Sequence, residues 1–433
     1  MRYLQIQGRN RIEGVVSVQG AKNSAVALLP AALLADGEVL LHHIPQIRDV
    51  EVIFSIFRQL GVKFTREGRG SVRIDPTGMN GKREIPGEWA KQYRASYYFI
   101  GSLIGRLGSL LIGLPGGDDF GARPIDQHLK GFRAMGMRIV RSRDGLYLQA
   151  EKVKGAKITF DVITSGATIN MILASVKAEG ETILQNAARD PEVVDLCNLL
   201  MKMGAKIYGA GTDTIRIVGV KRLRGAEHTI IPDRLMAGTF LIAGLATDGA
   251  VEIRNVIPEH LTPLLRKLEE MNARFHVGEE SLYAEGIQSL KATRVRTGMY
   301  PAFATDLQQP LTALMLKAMG RSIVTETVYP NRFSHLPELL RMGARIERRE
   351  ATALIRGGIS LAGADVQATD VRAGLALLIA GMMAEGETRL FGVEHMERGV
   401  EDLVPTFHRL QVPIEIRKAQ DWGEETGDST MIG

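Results

Sequence analysis

Cysteine is nearly absent from this 433-residue chain: Cys197 stands alone. No intrachain disulfide can form, and the expected compartment is a reducing one. Long apolar runs are missing as well; none approaches the roughly 18 residues that span a bilayer. The opening Met1-Arg2-Tyr3-Leu4 lacks the apolar stretch of a signal peptide. No block of Lys or Arg occurs, and the formal charge of +5 is spread along the chain, which argues against a nucleic-acid tail. A mild positive excess also suits anionic small molecules. No phosphate-binding or dinucleotide glycine fingerprint appears, so nothing calls for ATP or a nicotinamide. No His, Cys or carboxylate set stands at zinc-ligand spacing. The expectation is a cytoplasmic protein, monomeric or weakly oligomeric, with no cofactor, metal, membrane or nucleic-acid partner. With 45% apolar and 24% charged residues, it has a globular balance and enough chain for two domains of roughly 200 residues.

What is present is a repeat. A helical apolar stretch, a glycine and a β-rich run recur at Gly37, Gly108, Gly180, Gly249, Gly320 and Gly386, spaced by 66 to 72 residues. A second marker keeps step: helical patterns ending in Gly61, Gly136, Gly204, Asn272, Gly343 and Gln411, each followed by a short strand pattern. Glycine past a helix signals a left-handed C-terminal cap, asparagine is the next most tolerant residue, and Gln411 fits poorly. Each unit therefore reads helix, strand, helix, strands, and six units in two sets of three give two similar α/β domains.

Counting back 14 or 15 residues from the first marker gives Lys22, Arg94, Gly166, Arg234, Asp306 and Arg372, each at the start of a helical pattern. Helix N-termini offer free N–H groups and the positive end of the macrodipole. Each residue alone reads better as a cap or a solvated first-turn charge. Their equivalent placement in every repeat instead suggests four basic residues and one carboxylate serving a polyanionic substrate.

Longer motifs then carry a resemblance. Gly20-Ala21-Lys22-Asn23, Leu114-Pro115-Gly116-Gly117 with Gly121-Ala122-Arg123-Pro124, and Thr325-Glu326-Thr327-Val328 with Asn331-Arg332-Phe333 resemble the UDP-N-acetylglucosamine 1-carboxyvinyltransferases. So do Ala368-Thr369-Asp370-Val371-Arg372 and His395-Met396-Glu397-Arg398-Gly399, and the likeness runs from Met1 to about Lys418. It implies two inside-out α/β barrels of three βαβαββ-like units each, the enolpyruvyl transferase fold. The expected boundaries are 22–230 for the first domain, 1–21 plus 231–418 for the second, and a disordered tail over 419–433. The 114–128 segment is expected to be a mobile loop over a substrate cleft.

The resemblance also implies a reaction: transfer of the enolpyruvyl group of phosphoenolpyruvate to the 3-hydroxyl of UDP-N-acetylglucosamine, the first committed step of peptidoglycan precursor synthesis. Lys22, Arg123 and Arg398 would then hold the phosphate and Arg372 the carboxylate, with Asn23 touching both substrates. Arginine suits this because its planar fork meets oxyanions bidentately. Asp306 would take the hydroxyl proton. Arg94, Arg123, Pro124, Ile125, Asp126, Gln127, Thr164, Ser165, Gly166 and Val328 would contact the nucleotide sugar.

One departure touches the chemistry. Most family members carry a cysteine after the paired glycines, the proposed proton donor to carbon 3; here Asp118 stands there, followed by Asp119. A minority of the family shares the aspartate. It can act as the acid only if burial, Asp119 or substrate phosphate raises its pKa. Cys197, in the apolar helical stretch Val193–Leu200, reads as a core residue. Tyr98 stands where tryptophan is common and Val400 where a larger residue is frequent; His128 is family-typical, while His335 and His395 read as structural. Two alternatives remain: a paralogous transferase using another acceptor such as shikimate 3-phosphate, and an idle UDP-sugar-binding regulator.

Because fosfomycin alkylates the family's loop cysteine, and a carboxylate is the poorer nucleophile toward an epoxide, this chain should resist it. Activity is expected to survive prolonged incubation, with no adduct by mass spectrometry. Time-dependent inactivation with a covalent adduct contradicts the expectation.

Overall fold

The computed structural model describes residues 1–114, 116 and 124–418. The expected loop acid Asp118, its neighbour Asp119, Arg123 and the expected tail lie outside the described residues. The chain divides into two compact units, one of residues 1–18, 234–298 and 303–433, the other of 19–233 and 299–302.

Among the described residues each unit holds three separate four-stranded mixed sheets. Among the described residues the sheets remain separate, and neither unit closes into a continuous barrel. In every sheet one strand pairs in parallel with a neighbour that then joins an antiparallel pair. In the 19–233 unit, for example, Ala226–Thr229 runs parallel to Val39–His42, which pairs antiparallel with Val72–Asp75. In the other unit Glu13–Ser17 runs parallel to Ala250–Arg254.

Two kinds of helix alternate along the chain, and composition separates them. The inner helices are mostly apolar on every face and are buried along their length. Arg234–Ala246 has every residue buried, and Val371–Met383 leaves only Met383 partly exposed. The outer helices, such as Arg48–Leu60 and Thr262–Glu270, bury one stripe and present charge on the other. Inner helices and sheet faces together make one apolar core per unit. Among the described residues no helix is long and apolar enough to cross a membrane.

The second marker reads correctly at all six positions: Gly61, Gly136, Gly204, Asn272, Gly343 and also Gln411 have positive φ. Gln411 sits at φ 62°, so the repeat's geometry imposes the left-handed turn on a residue that resists it. The first marker behaves differently in two repeats, since Gly37 and Gly249 are not among the positive-φ glycines. Gly249 is needed for space, because a Cβ there would lie 2.1 Å from the Ile12 carbonyl oxygen. The left-handed turn falls one residue earlier, on Asp248 at φ 53°. Its carboxylate accepts from the Gln288 N–H at 2.7 Å and pairs with Lys317 at 2.5 Å.

The expected loop is shorter than its sequence limits: Asp126–Ala134 is helical, so residues 126–128 form a first turn rather than loop. Cys197 is fully buried, and burial pushes its thiol up to about 12, which makes it an inert core residue. His335 is buried too, stacked near Phe333 at 6.3 Å, and burial beside Arg332 pushes its imidazole down to about 3.

Replacing the strained Gln411 by glycine should stabilise the protein by roughly 0.5–1 kcal/mol, since glycine accepts positive φ at little cost. Denaturant midpoints of Gln411→Gly and wild type check this, and an unchanged or lowered midpoint counts against the strain argument.

Candidate active site

The helix-start residues fall where the repeat places them. Lys22, Arg94 and Arg234 open their helices, while Gly166, Asp306 and Arg372 stand at the second helical position. Their helices are capped by different means. Thr164 accepts from the Ala167 N–H at 3.4 Å, and Asp370 accepts from the Arg372 and Ala373 N–H groups at 2.8 and 3.0 Å. The Lys22 N–H is taken by the buried Asp233 carboxylate at 3.2 Å.

In the unit that contains residues 303–433, Asp306 forms the centre of a charge cluster. Arg332 Nη1 donates to its Oδ1 at 2.5 Å, and Arg372 Nε stands 3.4 Å from its Oδ2. Both guanidiniums are almost fully buried, whereas a quarter of the Asp306 side chain is exposed. Burial pushes the Asp306 carboxyl up, but the charges of Arg332, Arg372 and Arg234 and the Arg332 hydrogen bond outweigh it. The carboxyl is held well below the usual carboxylate range.

Arg332 comes from a different part of the repeat. It lies in the connection after strand Arg321–Thr325, off the helix-start register. The quoted Asn331-Arg332-Phe333 run was visible in the sequence, but only the structure shows that its arginine meets Asp306. Arg398 follows the short helix Val393–Met396 and is half-buried. Gly399 beside it backs onto Val371, with a Cβ only 2.9 Å from the Val371 side chain, so the segment lies against the start of the Arg372 helix. Val328 is half-buried and gives its N–H to Glu326 at 2.8 Å.

In the 19–233 unit, Lys22 Nζ pairs with Asp49 at 2.8 Å, with the lysine side chain 15% exposed and the aspartate side chain 4%. Asp49 is a partner the sequence did not reveal, because a first-turn aspartate on an outer helix looks like an ordinary cap. Asn23 beside Lys22 is exposed. Gln127 is buried and clamps Asp161, accepting from its N–H and donating to its carboxylate, both at 3.0 Å. It also donates to Asp126 at 2.7 Å. Ser165 donates to Asp190 at 2.9 Å.

Arg94 lies 5.8 Å from the Tyr97 ring, and burial pushes that phenol up to about 12. The Asn170 amide donates to the Tyr97 carbonyl and to His128 Nδ1, at 2.9 and 3.1 Å, while its oxygen accepts from the Gly101 N–H at 2.9 Å. That network assigns the imidazole proton to Nε2. Burial, with Arg94 adding to it, pushes His128 down to about 4, so the ring is neutral at pH 7. A Cβ on Gly166 would sit 3.3 Å from His128 Nε2 and 3.8 Å from the Tyr98 hydroxyl. Glycine in the third repeat, where others carry charge, leaves room beside this ring nitrogen. A pocket of about 570 Å³ is lined by Arg94, Tyr97, Pro124, Ile125, Arg133 and Arg141 among others. Pro124 and Asp126 are exposed and Ile125 is half-buried. Among the described residues, no three His, Cys, Asp or Glu side chains group so as to hold a metal ion.

Residues 6–407 match the family described as EPSP synthase (3-phosphoshikimate 1-carboxyvinyltransferase). The chain belongs to that family. It is 48% identical over 421 residues to "UDP-N-acetylglucosamine 1-carboxyvinyltransferase 2" of Geobacillus kaustophilus, covering 97% of this chain and 98% of the relative. It is also 48% identical over 432 residues to the protein of the same name from Bacillus subtilis, covering 100% and 99%. Among solved structures it resembles the enolpyruvyl transferase NikO from Streptomyces tendae, with TM-score 0.88 and 27% identity over 96% of this chain and 99% of that one. An EPSP synthase from Acinetobacter baumannii shares the fold at TM-score 0.74 and 19% identity, over 96% and 100%.

Proposed function

We propose that this chain is an enolpyruvyl transferase that joins phosphoenolpyruvate to the 3-hydroxyl of UDP-N-acetylglucosamine and releases phosphate, in the cytoplasm, as the first committed step toward peptidoglycan. Cell-wall growth, cell shape and cell division would depend on it. Near-full-length identity to relatives bearing that name supports the substrate pair. The observation that carries the chemistry is Asp306, a carboxylate at a helix start held between Arg332 and Arg372.

In this reading Arg372 binds the carboxylate of phosphoenolpyruvate, and Lys22, Arg123 and Arg398 bind its phosphate. Asn23 touches both substrates. Arg94, Arg123, Pro124, Ile125, Asp126, Gln127, Thr164, Ser165, Gly166 and Val328 serve the nucleotide sugar. The sugar 3-oxygen attacks carbon 2 while its proton passes to Asp306. Carbon 3 takes a proton, from Asp118 in this account, and a tetrahedral intermediate forms. The bond from carbon 2 to the phosphate oxygen then breaks, phosphate departs with the electron pair, and carbon 3 returns its proton to restore the double bond.

Asp306 is a weak base while its carboxylate is shared with guanidiniums. An anionic substrate that engages Arg372 draws away one of these partners. Losing an opposite charge at contact distance raises a carboxyl pKa by roughly 1–3 units. Occupancy by phosphoenolpyruvate therefore prepares Asp306 to accept the hydroxyl proton, and the base gains strength only when its reaction partner is present.

Phosphate release, measured with phosphoenolpyruvate and either UDP-N-acetylglucosamine or shikimate 3-phosphate, tests the proposal. Release is expected only with the nucleotide sugar, and Asp118→Ala should lower kcat by roughly 10²-fold or more. Release with shikimate 3-phosphate alone points to the other acceptor. Tight nucleotide-sugar binding without release points to a regulator, and an unimpaired Asp118→Ala variant removes Asp118 as the acid.

A further inference from the structure

We infer that Glu326 is a positioning residue for the proton-accepting step, holding Arg332, and through it Asp306, in register; the inference rests on the transferase reading above. Glu326 is 1% exposed and directly follows the strand Arg321–Thr325. A buried carboxylate is costly unless its lone pairs are filled, and here both oxygens are engaged. Oε1 accepts from the Thr297 hydroxyl at 2.7 Å and from the Val328 and Tyr329 N–H groups at 2.8 and 3.0 Å. Oε2 accepts from the Thr305 hydroxyl at 2.8 Å.

These contacts govern Arg332 at both ends. Its backbone N–H is bonded to the Tyr329 carbonyl at 2.9 Å, and its carbonyl accepts from Gln308 at 2.7 Å. The turn that Glu326 organises thus sets where Arg332 enters. At the other end Arg332 Nη1 donates both to Thr305 Oγ1 at 3.2 Å and to Asp306 at 2.5 Å. Thr305 can accept from Arg332 in this orientation because its own proton is given to Glu326. The sequence of contacts runs carboxylate, hydroxyl, guanidinium, carboxylate, and ends on the base. Thr305 is also the first residue of the helix that carries Asp306, so one buried carboxylate fixes the base's helix and the base's counter-ion together. A carboxylate is needed rather than an amide: an amide nitrogen in place of Oε2 would present a second donor to Thr305 and leave its hydroxyl proton without an acceptor.

The test uses Glu326→Gln, Thr305→Val and the double variant of the full chain. Both single substitutions should lower kcat for phosphate release by about 10- to 100-fold, the scale of a misplaced reacting group. KM for either substrate should change by less than about twofold, and the double variant should be no worse than the poorer single one, as for two links of one relay. A readout without turnover is the nitrogen–proton signal of Arg332 Nε, which should move in both single variants. If it stays put in both, the relay is overturned whatever the activity. If kcat is kept while KM for the nucleotide sugar rises, Glu326 serves only the Val328 turn and the inference fails. A wild-type chain that releases no phosphate, with the Arg332 signal still moving, would overturn the transferase reading and leave the relay supported. Thr305→Val keeps the inference falsifiable should Glu326→Gln fail to fold.

Discussion

The buried pairing of Asp306 with Arg332 and Arg372 constrains much of the unit that carries it. Two guanidiniums buried at this depth require a counter-charge, because an unpaired buried charge costs several kcal/mol. Asp306 supplies it from the start of an otherwise buried helix, where a quarter of its side chain is exposed. Around that pair the neighbouring polar groups are bound in turn: Asp370 caps the Arg372 helix and also accepts from Gln309 and Ser334, and Glu326 secures the Thr305 end. Such a cluster is expensive to assemble for stability alone. Its arrangement makes sense if an anionic substrate is to take over part of the pairing.

The fold explains how charged groups reach this position. An inner helix that is mostly apolar is buried along its length, so its start is the place where charged side chains stand. The repeat supplies such a helix start six times, each at the positive end of a helix dipole. Charge varies from copy to copy at that register: Lys22, Arg94, Arg234 and Arg372 are cationic, Asp306 is anionic, and Gly166 carries nothing. The glycine leaves room beside a neutral His128 whose proton is directed by Asn170. One architecture thereby presents cations, a carboxylate and an open glycine from equivalent places.

Much of this was legible in the sequence because periodicity is a physical consequence of packing. The alternation of helices and strands, the turn at five of the six second markers and the six helix starts follow from apolar patterning and from glycine or asparagine placement. Two kinds of feature escaped. Partners that lie off the repeat register, such as Arg332, Asp49 and Glu326, are ordinary charged residues until their neighbours are known. Local geometry can also override residue preference, as at Gln411, or shift the strained position by one residue, as at Asp248. The motif containing Glu326 and Arg332 was visible as a string, but a string does not say which side chains face one another across 20 or more positions.

The central claim is that Asp306 is a suppressed base released by the substrate. Carboxyl carbon NMR with labelled aspartate tests it, with the Asp306 signal identified by its loss in Asp306→Asn. In the free protein the carboxyl should titrate well below the usual aspartate range. With UDP-N-acetylglucosamine and an unreactive phosphonate analogue of phosphoenolpyruvate bound, its titration should move upward by roughly 1–3 units. An ordinary aspartate titration in the free protein, or one that both ligands leave unmoved, would contradict the account.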